Sequence, residues 1–151
     1  MDNIEISIMT TSDLENIKES LLEEFDDFWQ YSTFENELKN PNSKYIKACN
    51  KDEIIGFAGI WKSVDDVHIT NIVTKKDYRK KGIGSILLLK LIEISKSISG
   101  ITSITLEVNK NNLPAIKLYE KYGFKNVGLR KKYYNNTYDA LIMTKNLKST
   151  K

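Results

Sequence analysis

Apolar residues alternate with polar ones at Ile4, Ile6 and Ile8, the two-residue period of a half-buried strand. Beyond Thr11 or Ser12, either of which caps a helix, the period lengthens, and Leu14, Ile17, Leu21 and Leu22 mark one helical stripe. Phe25 to Trp29 mixes carboxylates with aromatics and reads as a loop. A short second helix spans Thr33 to Leu38, and Asn40-Pro41 stops it. Lys44 to Cys49 and Glu53 to Trp61 then read as two strands of a hairpin joined at Asn50-Lys51-Asp52. Gly56 and Gly59 inside the second strand mark a close backbone approach or a bulge.

A β-branched strand, Val67 to Thr74, leads into a glycine-containing turn and a long helix that ends near Gly100. Ile83, Ile86, Leu87, Leu91, Ile94 and Ile98 form its buried stripe. Ile104, Leu106 and Val108 alternate with Thr105 and Glu107, so strand, crossover helix and strand predict a parallel, right-handed pair. Asn112 caps a further helix that carries Pro114 in its first turn, where the missing N–H costs little, and Gly123 stops it after Tyr122. Phe124 to Leu129 and Tyr138 to Leu147 close the chain as antiparallel strands across Asn135-Asn136. The pattern predicts an α/β fold: one mixed sheet of about seven strands with about four helices on both faces. It occupies a single domain over residues 1–147, followed by a polar tail over 148–151.

Composition narrows the function classes. A chain of 151 residues, 40% hydrophobic and 28% charged, buries a real core in one globular domain. The net charge of +3 is too small to argue for nucleic acid, and no direct nucleic-acid binding is expected. No long apolar run predicts a membrane span, and the acidic, polar first residues are unlike a signal peptide. The single cysteine, Cys49, excludes an internal disulfide and fits a cytoplasmic protein. One histidine and one cysteine argue against a histidine–cysteine metal site, and no metal is expected.

The turn Arg79-Lys80-Lys81-Gly82-Ile83-Gly84 carries the first chemistry. It joins a strand to a helix start, where N–H groups lack internal acceptors and the helix dipole is positive. Glycines let a ligand approach this bare backbone, which makes an anion cradle suited to phosphate. Five of the seven residues from Lys75 to Lys81 are cationic and add a field of the right sign. A helix start with solvated lysines is the plain structural alternative. No Gly-Lys-Ser/Thr follows, so this is not a nucleotide P-loop, and G-x-G-x-x-G is absent.

Strand, R-x-x-G-x-G and long helix resemble the acyl-CoA-binding signature of the GNAT superfamily of N-acetyltransferases. His68 to Val73, Leu106-Glu107-Val108, Asn112 to Phe124, Tyr133-Tyr134 and Asp139-Ala140 extend the likeness from about Phe25 to Leu147. Together they resemble the RimI branch, the ribosomal-protein alanine N-acetyltransferases. The resemblance implies that backbone N–H groups of about Lys81 to Ser85 (Lys81, Gly82, Ile83, Gly84, Ser85) hold the CoA pyrophosphate, with Arg79 and Lys80 adding charge-assisted contacts. It implies that Ile72, Val73 and Thr74 receive the pantetheine arm and place the acetyl thioester. It makes Glu107 the general base and Tyr119 the general acid that protonates the departing thiolate. Asn112 is a helix cap compatible with a contact to acetyl-CoA, while Trp29, Tyr133 and Tyr134 are expected to line the substrate groove. By the same resemblance the acceptor is the N-terminal amine of a small-subunit ribosomal protein. A protein N-terminus, with a pKa of about 8, is also easier for a carboxylate to deprotonate than lysine at about 10.4.

Other readings of these residues stand beside those roles: Glu107 as a strand carboxylate in a salt bridge, Tyr119 as a packing tyrosine, and Tyr133 and Tyr134 as strand aromatics. Three positions depart from the family pattern: Lys76 in place of proline, Asn136-Thr137-Tyr138 in place of Asp-Gly-Glu, and Phe28 to Ser32 in place of a Pro-Trp-Ser loop. The last two leave the acceptor open between a protein N-terminus, a lysine and a small amine. Cys49 as an acyl carrier would need His68 to activate it, and a small core residue is the simpler reading. His68 is an alternative base. A non-catalytic acyl-CoA-binding or RNA-associated module is the competing class, against which the presence of both Glu107 and Tyr119 argues.

Overall fold

The structure is a computed structural model that describes residues 3–25, 31–134 and 138–147, at residues 22 and 132–134 for the backbone alone. Seven strands, β1 (Ile4–Ile8), β2 (Ser43–Asn50), β3 (Glu53–Ser63), β4 (Asp66–Thr74), β5 (Ser103–Asn109), β6 (Lys125–Tyr134) and β7 (Tyr138–Asn146), form one mixed sheet. Their order is β1-β2-β3-β4-β5-β7-β6. The helices are α1 (Thr11–Asn16), α2 (Leu21–Glu24), α3 (Tyr31–Lys39), α4 (Ile83–Ser97) and α5 (Leu113–Lys121). The chain forms two compact units, Met1–Trp61 with Thr70–Glu93, and Lys62–Ile69 with Ile94–Lys151.

In the first unit β1, β2 and β3 make an antiparallel meander, with Ile6 opposite Ala48 and Tyr45 opposite Gly59. Residues Ile55 to Ile60 of β3 are buried without alternation, the mark of a strand covered on both faces. One face carries a cluster of Met9, Leu14, Ile17, Leu21, Phe25, Phe34, Tyr45, Phe57 and Val73. Phe25 and Phe34 meet Phe57 edge-on, with ring centroids 5.6 and 5.4 Å apart. Burying each such ring is worth about 1.5–3 kcal/mol, which fixes α1 to α3 on this face. The other face meets α4, where a Cβ on Gly56 would lie 3.1 Å from Ile83 and 3.2 Å from Leu87. The bulge in this hairpin falls on β3 beside Gly56: Ala48 pairs with Gly56 and Cys49 with Ile54, which leaves Ile55 as the extra residue, and both β3 glycines also serve close approach.

The N-terminal helix differs from its expectation. Its cap is Thr10, whose side chain accepts from the Asp13 N–H while the Asp13 carboxylate accepts from the Thr10 N–H, a reciprocal capping box. It does not run on to Leu22. Ser20 Oγ donates to the Ile17 carbonyl at 3.0 Å, the acceptor a continuing helix needs, and one turn of 3₁₀ helix follows Ile17 before α2.

In the second unit β4 and β5 are parallel, in register from Asp66 opposite Ser103 to His68 opposite Thr105. β7 pairs antiparallel with both β5 and β6. β6 runs to Tyr134 rather than stopping at Leu129. Cross-strand pairing with β7 carries it through the charged run, as suits an edge strand, with Arg130 opposite Ala140 and Tyr134 opposite Tyr138. The Asn112 side chain caps α5 by accepting from the Ala115 N–H, and Gly123 ends it at φ +96°. Among the described residues no helix is long and apolar enough to cross a membrane.

Candidate active site

The glycine turn lies at the end of β4 in the first unit. Val73 is buried in the core cluster, with Ile72 and Thr74 half-buried beside it. The Lys75 N–H donates to the Ile55 carbonyl at 2.8 Å, so the chain stays tied to β3 as it leaves the strand. A 3₁₀ turn over Lys76–Tyr78 follows, anchored where Tyr78 Oη donates to Glu53 at 3.0 Å. Lys80 then sits at φ +62° and Gly82 at φ +87°, two left-handed residues that swing the backbone into α4.

Ile83, 1% exposed, plugs the first turn of α4 into the core, while Arg79, Lys80, Lys81 and Gly82 stay exposed. The first intrahelical bond here runs from the Ile86 N–H to the Gly82 carbonyl at 3.1 Å. The N–H groups of Ile83, Gly84 and Ser85 therefore belong to the turn that lacks helical acceptors. Among the described residues, no atom beyond Gly82 and its chain neighbours lies within 4 Å of where a Cβ on Gly82 would stand. The open space fits a phosphate against the bare backbone.

One cation of the expected field is spent elsewhere. Lys75 Nζ lies 2.8 Å from Glu24 and 2.7 Å from Glu53, and these two carboxylates, Glu24 the stronger, hold its pKa above the ordinary lysine value. Lys75 also borders a cavity of about 570 Å³ together with Asp13, Glu24, Lys47 and Cys49. Among the described residues that cavity touches none of the predicted site residues, and Asp13 and Lys47 are already paired across it at 2.8 Å. The motif residues, rather than this cavity, define the site. Burial pushes the Cys49 thiol up from its ordinary value, the opposite of the activation an acyl carrier needs.

A second feature of the first unit escaped the sequence pattern. The Tyr45 ring lies over Gly59, and its hydroxyl is 3.0 Å from Thr70 Oγ1 while accepting from Asn71 Nδ2 at 3.3 Å. Thr70 is half-buried and Asn71 buried, in step with the alternation along β4, and the one hydroxyl ties both neighbours to β2. No periodicity rule predicts that tie.

The second unit holds Glu107, Tyr119, Asn112, Tyr133 and Tyr134. Leu106 and Val108 are buried, and Glu107 projects from the other face of β5, as the alternation predicts. Arg130 Nη1 donates to both Glu107 oxygens at 3.2 Å. Glu107 stands opposite Ile142 and Ile142 opposite Gly128, so a long side chain two residues past Gly128 can cross β7 diagonally to the carboxylate. The order β5-β7-β6 makes this partner, and the sequence alone does not choose Arg130 from the run Arg130-Lys131-Lys132. With the arginine side chain 57% exposed, the pair orients the carboxylate more than it stabilises the fold.

Tyr119 is half-buried on α5 and packs edge-on against Phe124, ring centroids 5.9 Å apart. Tyr133 and Tyr134 lie at the end of β6. Trp29 lies outside the described residues. His68 Nδ1 is 3.3 Å from Asp66 Oδ2 without hydrogen-bond alignment, and the other Asp66 oxygen accepts from Ser103 at 2.6 Å and Thr105 at 3.2 Å. Among the described residues no group of three or more histidine, cysteine, aspartate or glutamate side chains is placed to hold a metal ion.

A turn that opens bare helical N–H groups under exposed cations, with a carboxylate strand and a capped helix after it, is the equipment of an acyl-CoA-dependent acyltransferase. The acetyltransferase (GNAT) family profile matches residues 12–124, and the chain belongs to that family. It is an N-acetyltransferase that uses acetyl-CoA. The chain is 36% identical over 137 residues to a putative bS18-alanine N-acetyltransferase of Bacillus subtilis, covering 89% of this chain and 90% of that one. It is 31% identical to the bS18-alanine N-acetyltransferase of Salmonella typhimurium, over 91% and 94% of the two chains. The crystal structure of the Escherichia coli ribosomal-protein-S18-alanine N-acetyltransferase superposes with a TM-score of 0.87 at 27% identity, covering 99% of this chain and 97% of the other. Arabidopsis thaliana NAA60 in complex with acetyl-CoA, at 21% identity and a TM-score of 0.83 over 95% and 98% of the chains, shares the fold.

Proposed function

We propose that the protein acetylates the N-terminal α-amine of a protein beginning with alanine, a small-subunit ribosomal protein in the cytoplasm being the target. The observation that carries the chemistry is the place of Glu107, a carboxylate on the polar side of β5 whose pairing with the exposed Arg130 side chain must open for it to act as base. The relatives named for alanine N-acetyl transfer to bS18 support the choice of acceptor. Residues 81–85 cradle the CoA pyrophosphate, with Arg79 and Lys80 adding charge, and the backbone of Ile72, Val73 and Thr74 receives the pantetheine arm. Asn112 contributes a contact to acetyl-CoA, and Trp29, Tyr133 and Tyr134 line the peptide groove.

In the reaction Glu107 takes a proton from the incoming ammonium, directly or through a water. The freed nitrogen attacks the thioester carbonyl carbon, the C–N bond forms and the C–S bond breaks. The departing CoA thiolate takes its proton from Tyr119, and the second proton, which the new amide nitrogen sheds as the C–S bond breaks, restores the tyrosine. A ternary complex suffices, and no acyl-enzyme is formed, in keeping with a Cys49 thiol raised by burial.

Release of CoA thiol from acetyl-CoA tests this reading with an N-terminal alanine peptide, beside the same peptide blocked at its N-terminus but carrying a free lysine. Turnover on the free N-terminus is expected. Glu107→Gln is expected to lower it at least about a hundredfold, the scale of a lost general base. Turnover confined to lysine, or an unchanged rate in Glu107→Gln, would overturn the acceptor or the base respectively.

A further inference from the structure

Four exposed residues, Arg79 to Gly82, carry the chain from the 3₁₀ turn into α4, and Lys80 among them sits at φ +62°. A non-glycine residue in that conformation is held against its own preference, so the span needs support at both ends. At the far end Ile83, 1% exposed, is plugged into the core. At the near end the support is a single hydrogen bond from the Tyr78 hydroxyl to Glu53 Oε1 at 3.0 Å. Its direction is fixed, because an ionised carboxylate only accepts. The other Glu53 oxygen accepts from Lys75 Nζ at 2.7 Å, and Asn50 Nδ2, across the hairpin, lies 3.5 Å from the Tyr78 hydroxyl. Lys75 is the leading cause that holds the Glu53 carboxyl below its ordinary value, so the acceptor is ionised at neutral pH. One carboxylate at the start of β3 thus grips both ends of the turn, Lys75 before it and Tyr78 at its close.

We propose that Glu53 is a positioning residue for acetyl-CoA: by fixing Tyr78 it holds the span 79–82 in the shape that presents the N–H groups of the pyrophosphate cradle. The inference rests on the cradle assigned above to residues 81–85. All the residues involved belong to the first unit. The sign of the effect separates support from field. Glu53 is an anion beside a site for an anion, so by charge alone its removal should tighten acetyl-CoA binding. Loss of the support has the opposite effect, because a span that is no longer held must be ordered by the ligand.

Calorimetric titration of acetyl-CoA into the whole protein, with melting temperatures beside it, tests the proposal without an acceptor. Glu53→Ala and Tyr78→Phe are each expected to raise the acetyl-CoA Kd about threefold to tenfold, the worth of one hydrogen bond. Melting temperatures should stay close to wild type, since the bond is exposed. The double variant is expected to lose little more than either single one, because both remove the same bond. Glu53→Gln keeps an acceptor oxygen for Tyr78 and is expected to bind at least as tightly as wild type. A Kd that is unchanged or lower in Glu53→Ala would overturn the proposal. So would additive losses in the double variant, an equal rise in Glu53→Gln, or losses that follow falling melting temperatures. Gly82→Ala places a methyl on a left-handed backbone in the open space of the cradle and is expected to weaken binding as well. Binding untouched by Gly82→Ala would remove the cradle assignment beneath the proposal, whereas binding weakened there but not in Glu53→Ala would remove the role of Glu53 alone.

Discussion

Gly59→Ala is the substitution whose cost follows most directly from the packing. A Cβ at Gly59 would lie 2.3 Å from the Tyr45 ring and 2.5 Å from two further ring atoms. Tyr45 is 2% exposed and stands opposite Gly59 in the β2–β3 register, so its ring has no room to swing aside. Overpacking of a tight core costs about 1–3 kcal/mol. Moving the ring also pulls the hydroxyl from Thr70 and Asn71, at about 1 kcal/mol for each hydrogen bond. Together these give a loss of roughly 3 kcal/mol, or about 6–12 °C in melting temperature for a chain of this length. Urea unfolding of Gly59→Ala, Tyr45→Ala and the double variant reads it. In the Tyr45→Ala background the new methyl has space, so the two substitutions should couple by more than about 1.5 kcal/mol. A loss under about 0.5 kcal/mol for Gly59→Ala, or strict additivity in the double variant, would refute the clash as the reason for this glycine.

Two further expectations concern the fold. Burial, the leading cause, pushes the Tyr45 hydroxyl up from 10.0 to about 12. An acid whose pKa is raised by folding adds stability that is fully present below the unfolded value and is lost as pH climbs from 10 towards 12. The two-unit gap corresponds to roughly 2–3 kcal/mol, so urea midpoints measured across that range should fall for the wild type and stay flatter for Tyr45→Phe. Val64 occupies the two-residue turn between β3 and β4 at φ +50° and is 90% exposed. A β-branched side chain has no packing there to offset a left-handed backbone, so Val64→Asn should raise stability by about 1 kcal/mol, and an unchanged or lowered melting temperature would contradict it.

The sequence was legible wherever local periodicity and burial agree. Strand β5 shows it best: Ile104, Leu106 and Val108 alternate inward, Glu107 outward, and the structure keeps that arrangement. Asn112, Pro114 and Gly123 punctuate α5 by backbone chemistry that needs no tertiary context. Legibility failed where side chains compete for backbone groups or where partners come from distant strands. Ser20 taking the Ile17 carbonyl is invisible to a helical stripe that runs unbroken from Leu14 to Leu22. Arg130 reaches Glu107 because β7 lies between β5 and β6, a matter of topology rather than pattern. Tyr45 reads in the sequence as one aromatic in a hairpin, and Gly59 opposite it is the visible half of the pair.

The tie from Tyr45 to Thr70 and Asn71 sets a limit on engineering. A copy of this strand end placed in another sheet would lose that hydroxyl, and the buried Asn71 amide would lose the hydrogen bond it makes to it. Loop grafts that begin at Lys75 would leave the support behind, since every transplanted residue would be right and the strand beneath them untied. The transferable unit is therefore longer than the signature motif: it starts at Thr70, and it needs Tyr45 and Gly59 from the neighbouring strands.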